Sequence, residues 1–169
     1  MNEVFIPLGV IGSGKTKAGH EWAMKHPPCT YLEGDAIRTM LFGGYGFDKH
    51  LEDSIIEAMF ILAGEATRYG YNVVLDDATL GYLDRYRAKT MAWEIVKGYL
   101  PPATPCIPHV VPLPTADECI RRRMLNPRGY SEEDWRRVYR EQMREFELSG
   151  LYHGRAVERK NDEGVCNQR

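Results

Sequence analysis

Residues 9–16 carry the side-chain pattern that says most about chemistry: Gly-Val-Ile-Gly-Ser-Gly-Lys-Thr. Glycines at these positions, followed by lysine and threonine, match the eight-residue loop that binds phosphate groups. In such a loop the backbone amides point at phosphate oxygens, the lysine reaches the outer phosphates and the threonine hydroxyl binds Mg²⁺. The pattern therefore predicts a site for a nucleoside triphosphate with Mg²⁺. The residues assigned to this site are Gly9, Gly12, Ser13, Gly14, Lys15 and Thr16.

Asp35 follows a predicted strand and is a second candidate for chemistry. A carboxylate beside a phosphate loop can accept the proton of an attacking hydroxyl, as the base of a kinase does. The alternative is that Asp35 caps a helix over residues 36–42, a common position for aspartate. Arg38, one turn later, is expected either to hold a phosphate group or to be a solvated surface charge. Spacing alone leaves these alternatives open.

Asp76 and Asp77 end an apolar segment that is typical of a strand. An acidic residue at this position can hold a Mg²⁺-bound water or orient a substrate. Neighbouring residues of a strand face opposite ways, so we expect only one of the two to face the site. The alternative is a turn-forming aspartate pair.

Arginines are concentrated in the segment 121–128. Guanidinium groups on a mobile segment can stabilise the charge of a transferring phosphoryl group. Three consecutive helix residues cannot all point one way, so we expect at least two of the four arginines here to be solvated. The candidates are Arg121, Arg122, Arg123 and Arg128.

The elements that must position these residues alternate between strands and helices. Strands are predicted at residues 4–8, 29–32, 71–75 and 106–113, the last at an edge because it contains two prolines. Helices are predicted at residues 16–25, 36–42, 51–69, 83–99, 116–125 and 132–147. This order predicts an α/β fold with a parallel sheet of four to five strands flanked by helices. Gly9, Asp35 and Asp77 then meet where the strands have their carboxyl ends.

Length and composition indicate one ordinary globular domain. Of 169 residues, 43% are hydrophobic and 27% charged, and we expect a domain over 1–148 and a polar tail over 149–169. No apolar run reaches the length of a membrane span and no secretory signal is visible, so we expect a cytoplasmic protein. The four cysteines and five histidines lack metal-ligand spacing. With a net charge of −2, any binding to nucleic acid must be local.

The order of the motifs at residues 12–16, 34–38 and 75–80 resembles that of the 5′-kinase module of phage-type polynucleotide kinases, over roughly residues 3–147. The resemblance implies a P-loop kinase fold with an arginine-rich helical lid. It also implies that Asp35 is a general base and that Arg38 contacts phosphate. In the lid it favours Arg122 and Arg128, with Arg123 in reserve because the lid carries about two extra residues. For the strand-terminal aspartate the resemblance favours Asp77, which with Thr16 we assign to the metal, although Asp-Ala-Thr at residues 77–79 departs from the commoner form of that motif.

Together these features predict ATP-dependent transfer of the γ-phosphate to a hydroxyl on a nucleic acid, most simply a polynucleotide 5′-hydroxyl end. Lys15 and Arg122 or Arg128 would stabilise charge, and Thr16 would bind Mg²⁺. A related phage group phosphorylates the hydroxymethyl group of 5-hydroxymethyluracil in DNA, and the resemblance leaves that substrate open. Small-metabolite kinases with the same loop and nucleotide-dependent switches are further alternatives. The sequence does not distinguish DNA from RNA.

Overall fold

Four parallel strands form the sheet of the protein. The computed structural model describes residues 2–43, 49–82 and 90–152. The strands are β1 (Val4–Leu8), β2 (Cys29–Glu33), β3 (Asn72–Asp76) and β4 (Cys106–Val110). Their order is β2-β3-β1-β4, and every pair is parallel. The predicted α/β class is confirmed, and β4, which contains Pro108, lies at an edge, where a missing backbone donor costs least.

Helices cover both faces of this sheet. They are α1 (Lys15–Lys25), α2 (Gly34–Phe42), α3 (Lys49–Arg68), α4 (Ala116–Met124) and α5 (Glu132–Leu148). Two short 3₁₀ helices, Ala78–Gly81 and Ala92–Gly98, follow β3. None of the described helices has both the length and the apolar character that crossing a membrane requires.

Two predicted helices differ from the structure. Helix α2 begins at Gly34, so Glu33 is its N-cap and Asp35 lies in the first turn, which removes the capping interpretation of Asp35. The helix predicted over 83–99 is wrong where it can be compared, because Ala92–Gly98 is a 3₁₀ helix, and residues 83–89 lie outside the described residues. A short connector of this kind is held by packing, here of buried Val96, rather than by helix propensity.

The core lies on both faces of the two central strands. Ile6 of β1 and Val73 and Leu75 of β3 are fully buried at alternate strand positions, which face one side. The positions between them are buried as well, Phe5 at 6% and Val74 at 0% exposed. Strands covered on both faces become continuous apolar runs, which is why β1 was recognisable in the sequence. The apolar strands thereby hold the polar residues that follow them at one edge of the sheet.

The packed part of the chain continues past Leu148, the boundary chosen from the sequence between domain and tail. Leu151 packs against the core and Tyr152 is buried, with its ring 5.2 Å from that of Phe146. Phe146 is also in edge contact with Tyr82 at 5.8 Å. Helix α5 is therefore anchored to the core at its C-terminal end. The remainder of the predicted tail, 153–169, lies outside the described residues.

Replacing Phe146 by alanine should test this anchor. Phe146 is 0% exposed, so the substitution removes a buried ring and leaves a cavity, with an expected loss of about 3–5 kcal/mol in the free energy of unfolding. Urea denaturation measures the change. Leu148→Ala, at a 63% exposed position on the same helix, is the matched control and should change stability by less than about 0.5 kcal/mol. Equal effects of the two substitutions would contradict the anchor.

Candidate active site

The segment between β1 and α1 is the predicted phosphate loop. Gly12 has a φ of +67°, and a Cβ there would lie 2.2 Å from the Cys119 carbonyl oxygen, so both backbone conformation and space require glycine. Helix α1 begins directly after Gly14, its N-cap, and no side chain caps this end. The first amides of α1 are thus left for a ligand, the arrangement in which helix N-termini bind anions.

Lys15 lies over the loop that precedes it. Its Nζ donates a hydrogen bond to the Val10 carbonyl oxygen at 3.0 Å. Burial lowers the pKa of Lys15, while the carboxylates of Asp76, Asp77 and Asp35 act to raise it. Lys15 therefore shares one polar site with the three acidic residues singled out from the sequence.

Side chains from α4 and α5 brace the phosphate loop from outside. The Ile11 amide donates to Gln142 Oε1 of α5 at 2.7 Å. Arg122 Nη1 of α4 donates to the Gly12 carbonyl oxygen at 3.2 Å. The arginine-bearing helices and the loop are therefore directly connected. The role of Gln142 could not be predicted from the sequence, because a lone glutamine in an amphipathic helix is an ordinary surface residue.

Asp76 is the carboxylate beside Thr16. Thr16 Oγ1 donates to Asp76 Oδ2 at 2.7 Å, and the Tyr31 hydroxyl lies 2.9 Å from the same oxygen. Asp77, and not Asp76, is the carboxylate expected from the sequence at this position beside Thr16. Strand alternation explains the difference, because Asp76 is the last residue of β3 and faces α1, whereas Asp77 faces the other way.

Asp77 belongs instead to a buried network around Arg38. Its Oδ1 accepts from the Thr79 amide at 2.8 Å and from Thr79 Oγ1 at 2.7 Å, and its Oδ2 lies 3.7 Å from Arg38 Nη2. Burial raises the pKa of Asp77, against the lowering effects of the Thr79 bonds and of Arg38. Asp77 thus fixes the turn after β3 and the Arg38 guanidinium.

Arg38 is only 5% exposed, so it is not the solvated surface charge that was one of its two interpretations. Its Nε and Nη2 donate to the two oxygens of Glu52 at 3.0 and 2.7 Å, a bidentate pair. Its Nη1 donates to Asp35 Oδ1 at 2.5 Å. Glu52, from α3, was not among the predicted site residues, because sequence spacing cannot indicate which acid on a helix meets a distant arginine.

Asp35 is held from a second side by Arg128. Arg128 Nη1 donates to Asp35 Oδ2 at 2.8 Å, across 93 residues of sequence. Arg128 itself has a φ of +53° and precedes Gly129 at +84°, so a left-handed turn directs this side chain. The structure therefore brings together Asp35, Arg38 and Arg128, three of the predicted site residues.

The three consecutive arginines of α4 have different partners. Arg121 and Arg122 both pair with Glu118, and their hydrogen bonds lower the pKa of Glu118 to about 2, so its carboxylate stays charged at neutral pH. Arg123 instead lies with its guanidinium carbon 4.2 Å from the centre of the Trp135 ring, a cation–π contact. Arg123 also lines the cleft that contains Lys15.

One broad cleft joins these groups. Its lining includes Lys15, Thr16, Asp35, Arg38, Asp76, Asp77, Arg122, Arg123 and Arg128. Across the described ranges, no three His, Cys, Asp or Glu residues form a metal-binding cluster. A hydroxyl and one carboxylate are nevertheless the kind of ligand set that suits Mg²⁺, which keeps several waters and binds substrate phosphates. Thr16 and Asp76 fit that description.

Comparison with known proteins assigns the family. The sequence pattern of the AAA domain matches residues 4–149. The chain belongs to the AAA domain family. No curated protein matches this AAA domain in sequence. The fold and the family together make it a kinase-like P-loop domain.

Solved structures with the same fold include two kinds of protein. One is a chain in the Pnkp1/Rnl/Hen1 RNA repair complex, with a TM-score of 0.63 and 14% identity over 87% of this AAA domain and 45% of that chain. Another is a putative kinase from Chloroflexus aurantiacus, with a TM-score of 0.58 and 17% identity over 81% and 74% of the two chains. The AAA domain thus spans less than half of the repair-complex chain. At such identities the likeness shows the P-loop kinase fold.

Glu52→Ala should test the network around Arg38. The substitution leaves a buried guanidinium without its bidentate partner, which should lower the free energy of unfolding by about 3–5 kcal/mol. Urea denaturation measures the change. Asp53→Ala, at the exposed neighbouring position, is the control and should stay within about 0.5 kcal/mol of wild type. A loss below about 1 kcal/mol for Glu52→Ala would show that Arg38 does not depend on this pair.

Proposed function

We propose that the protein transfers the γ-phosphate of ATP to a hydroxyl on a nucleic acid, most simply a polynucleotide 5′-hydroxyl end. The observation that carries the proposal is the position of Asp35 on the cleft that also contains Lys15 and Thr16. A nucleotide-dependent switch needs a residue that positions water, whereas a carboxylate held between Arg38 and Arg128 is suited to accept a proton from a substrate hydroxyl.

The donor half of the site is the phosphate loop. Backbone amides of residues 12–16 and the Lys15 ammonium are proposed to hold the β- and γ-phosphates. The Thr16 hydroxyl, oriented by Asp76, would hold Mg²⁺. When bound, this ion neutralises charge on the outer phosphates. Asp77, the carboxylate chosen for the metal from the sequence, is proposed instead to position Arg38.

The acceptor half of the site centres on Asp35. In the proposed step the acceptor oxygen forms a bond to the γ-phosphorus while the bond from that phosphorus to the bridging oxygen of ADP breaks. The proton of the acceptor hydroxyl passes to an Asp35 oxygen. Arg38 is bound by Glu52 and Asp35. We therefore propose that Arg38 orients Asp35 and does not itself contact a phosphate.

Arginines of the α4–α5 region are proposed to form the lid. Arg122 is connected to the phosphate loop and Arg128 to Asp35, so the two can stabilise charge on opposite sides of the transferring group. Arg123 lines the same cleft and is a third candidate for the same role. Guanidinium groups supplied in this way accelerate phosphoryl transfer by about 10³–10⁵ in related systems.

Two observations support a nucleic acid as the acceptor. Arginines from α4, α5 and the segment between them line the cleft, where guanidinium groups can pair with the phosphates of a nucleic acid. A chain of an RNA repair complex has the same fold, and the motif order resembles that of polynucleotide kinases. The arginines from α4, α5 and the segment between them are Arg122, Arg123, Arg128, Arg137 and Arg144.

The acceptor is identified by transfer of labelled γ-phosphate from ATP, with Mg²⁺, to a panel of substrates. The panel contains 5′-hydroxyl DNA and RNA oligonucleotides, duplex DNA with 5-hydroxymethyluracil, and free nucleosides. Label at a 5′ end is the expected result. Label on an internal base would move the acceptor to the modified base. Label on nucleosides alone, or release of free phosphate alone whatever the acceptor, would overturn the proposal.

Asp35→Asn should separate the base from nucleotide binding. The amide keeps the size of the side chain but cannot take the hydroxyl proton, so turnover should fall by about 10²–10⁴. The dissociation constant for ATP should change less than about threefold, because Asp35 is not a donor-site group. Steady-state transfer and equilibrium nucleotide binding measure the two quantities. Asp117→Asn, at an exposed position on α4, is the control; near-normal turnover of Asp35→Asn would refute the base assignment.

A further inference from the structure

The Tyr31 side chain occupies a position that neither the phosphate loop nor the proposed base explains. Tyr31 lies on β2, two residues before Glu33, and its hydroxyl is 2.9 Å from Asp76 Oδ2 on the adjacent strand β3. We propose that Tyr31 is a positioning residue: it fixes the Asp76 carboxylate, which in turn orients the Thr16 hydroxyl for Mg²⁺-dependent nucleotide binding. The proposal rests on the donor half of the proposed function.

Two hydroxyl donors converge on one carboxylate oxygen, and the Tyr31 hydroxyl also lies 3.3 Å from the Thr16 main-chain oxygen. Asp76 Oδ2 accepts from both Thr16 Oγ1, at 2.7 Å, and the Tyr31 hydroxyl. Since Thr16 gives its only hydroxyl proton to Asp76, the lone pairs of its oxygen remain to face the cleft, where a cation can use them. Asp76 is only 4% exposed, so few water molecules can replace a lost donor. The direction of the Asp76 carboxylate thus depends on Tyr31.

Two neighbours on α1 hold the Tyr31 ring in place. The His20 ring stacks on it with centroids 4.3 Å apart and an interplanar angle of 15°. A Cβ at Gly19 would lie 2.6 Å from the Tyr31 hydroxyl oxygen, so only glycine lets the ring approach this closely. Helix α1 therefore packs closely against the Tyr31 ring through His20 and Gly19. Close packing of the ring is expected of a residue whose hydroxyl must reach one particular oxygen.

The Tyr31 hydroxyl is suited to act as a permanent donor. A tyrosine hydroxyl carries its proton at neutral pH, so it can donate to the Asp76 carboxylate. Serine or threonine could also donate, but a tyrosine on β2 spans the distance to β3 with a rigid ring.

Tyr31→Phe removes the donor and keeps the ring. Residues that orient metal ligands typically change metal affinity or activity by about 10–100-fold, so the affinity for ATP with Mg²⁺ should fall about tenfold. The affinity for ATP in EDTA should stay within about twofold of wild type, since the phosphate loop is unaltered. Calorimetric titration with ATP under the two conditions gives both numbers. Tyr69→Phe, at an exposed position directly after α3, is the matched control and should change neither.

The background Asp76→Asn shows whether Tyr31 acts through Asp76. Adding Tyr31→Phe to Asp76→Asn should produce no further loss of Mg²⁺-dependent affinity, because the carboxylate that Tyr31 positions is already absent. Thermal melting of each variant establishes that it is folded. If Tyr31→Phe alone fails to fold, an unchanged Mg²⁺ dependence in folded Asp76→Asn would still overturn the proposal, since Asp76 would then have no part in binding the ion.

Two outcomes for folded Tyr31→Phe would overturn the proposal. One is unchanged affinity for ATP with Mg²⁺. The other is an equal loss of ATP affinity with Mg²⁺ and in EDTA. That result would mean that Tyr31 supports the shape of the phosphate loop and not the metal ligands. The proposed function fails in a different way, because wild type itself would then show no Mg²⁺-dependent binding of ATP or no transfer to any acceptor.

Discussion

The site depends on one buried cation, the guanidinium of Arg38. A buried charge is tolerated only where its partners are arranged around it, and here the partners come from separate elements: Glu52 from α3, Asp35 from the same helix α2, and Asp77 from the turn after β3. The pairing therefore ties α2 and α3 to the end of a central strand. It also fixes the direction of Asp35, because one of its oxygens is bound to a side chain that cannot move freely.

The phosphate loop has a comparable support on its other side. Gln142 and Arg122 hold backbone groups of the loop from α5 and α4, while Phe146 anchors α5 to the core. The contact between Arg128 and Asp35 joins this half to the network around Arg38. Donor loop, arginine-bearing helices and proposed base are thus parts of one connected set of polar contacts, which is how distant elements can present a nucleotide and a hydroxyl to each other.

Part of this site could be predicted from residue patterns within short segments of the sequence. The phosphate loop, the four strands and the position of Asp35 follow from glycine spacing, apolar runs and strand ends, all properties of short segments. The choice between Asp76 and Asp77 did not follow from local pattern, because it depends on the residue at which β3 ends. Glu52 and Gln142 also had no signal, since their partners lie 14 and 131 residues away. Only the packed structure specifies such pairings.

The most direct test of the central claim, that the Arg38 network serves to position Asp35 for proton transfer, is a double-mutant cycle on turnover. Rates of γ-phosphate transfer would be compared for wild type, Glu52→Gln, Asp35→Asn and the double variant. The account predicts that Glu52→Gln slows the wild-type enzyme by about tenfold or more and barely changes the residual rate of Asp35→Asn. Equal slowing by Glu52→Gln in both backgrounds would contradict it, because Glu52 would then act independently of Asp35.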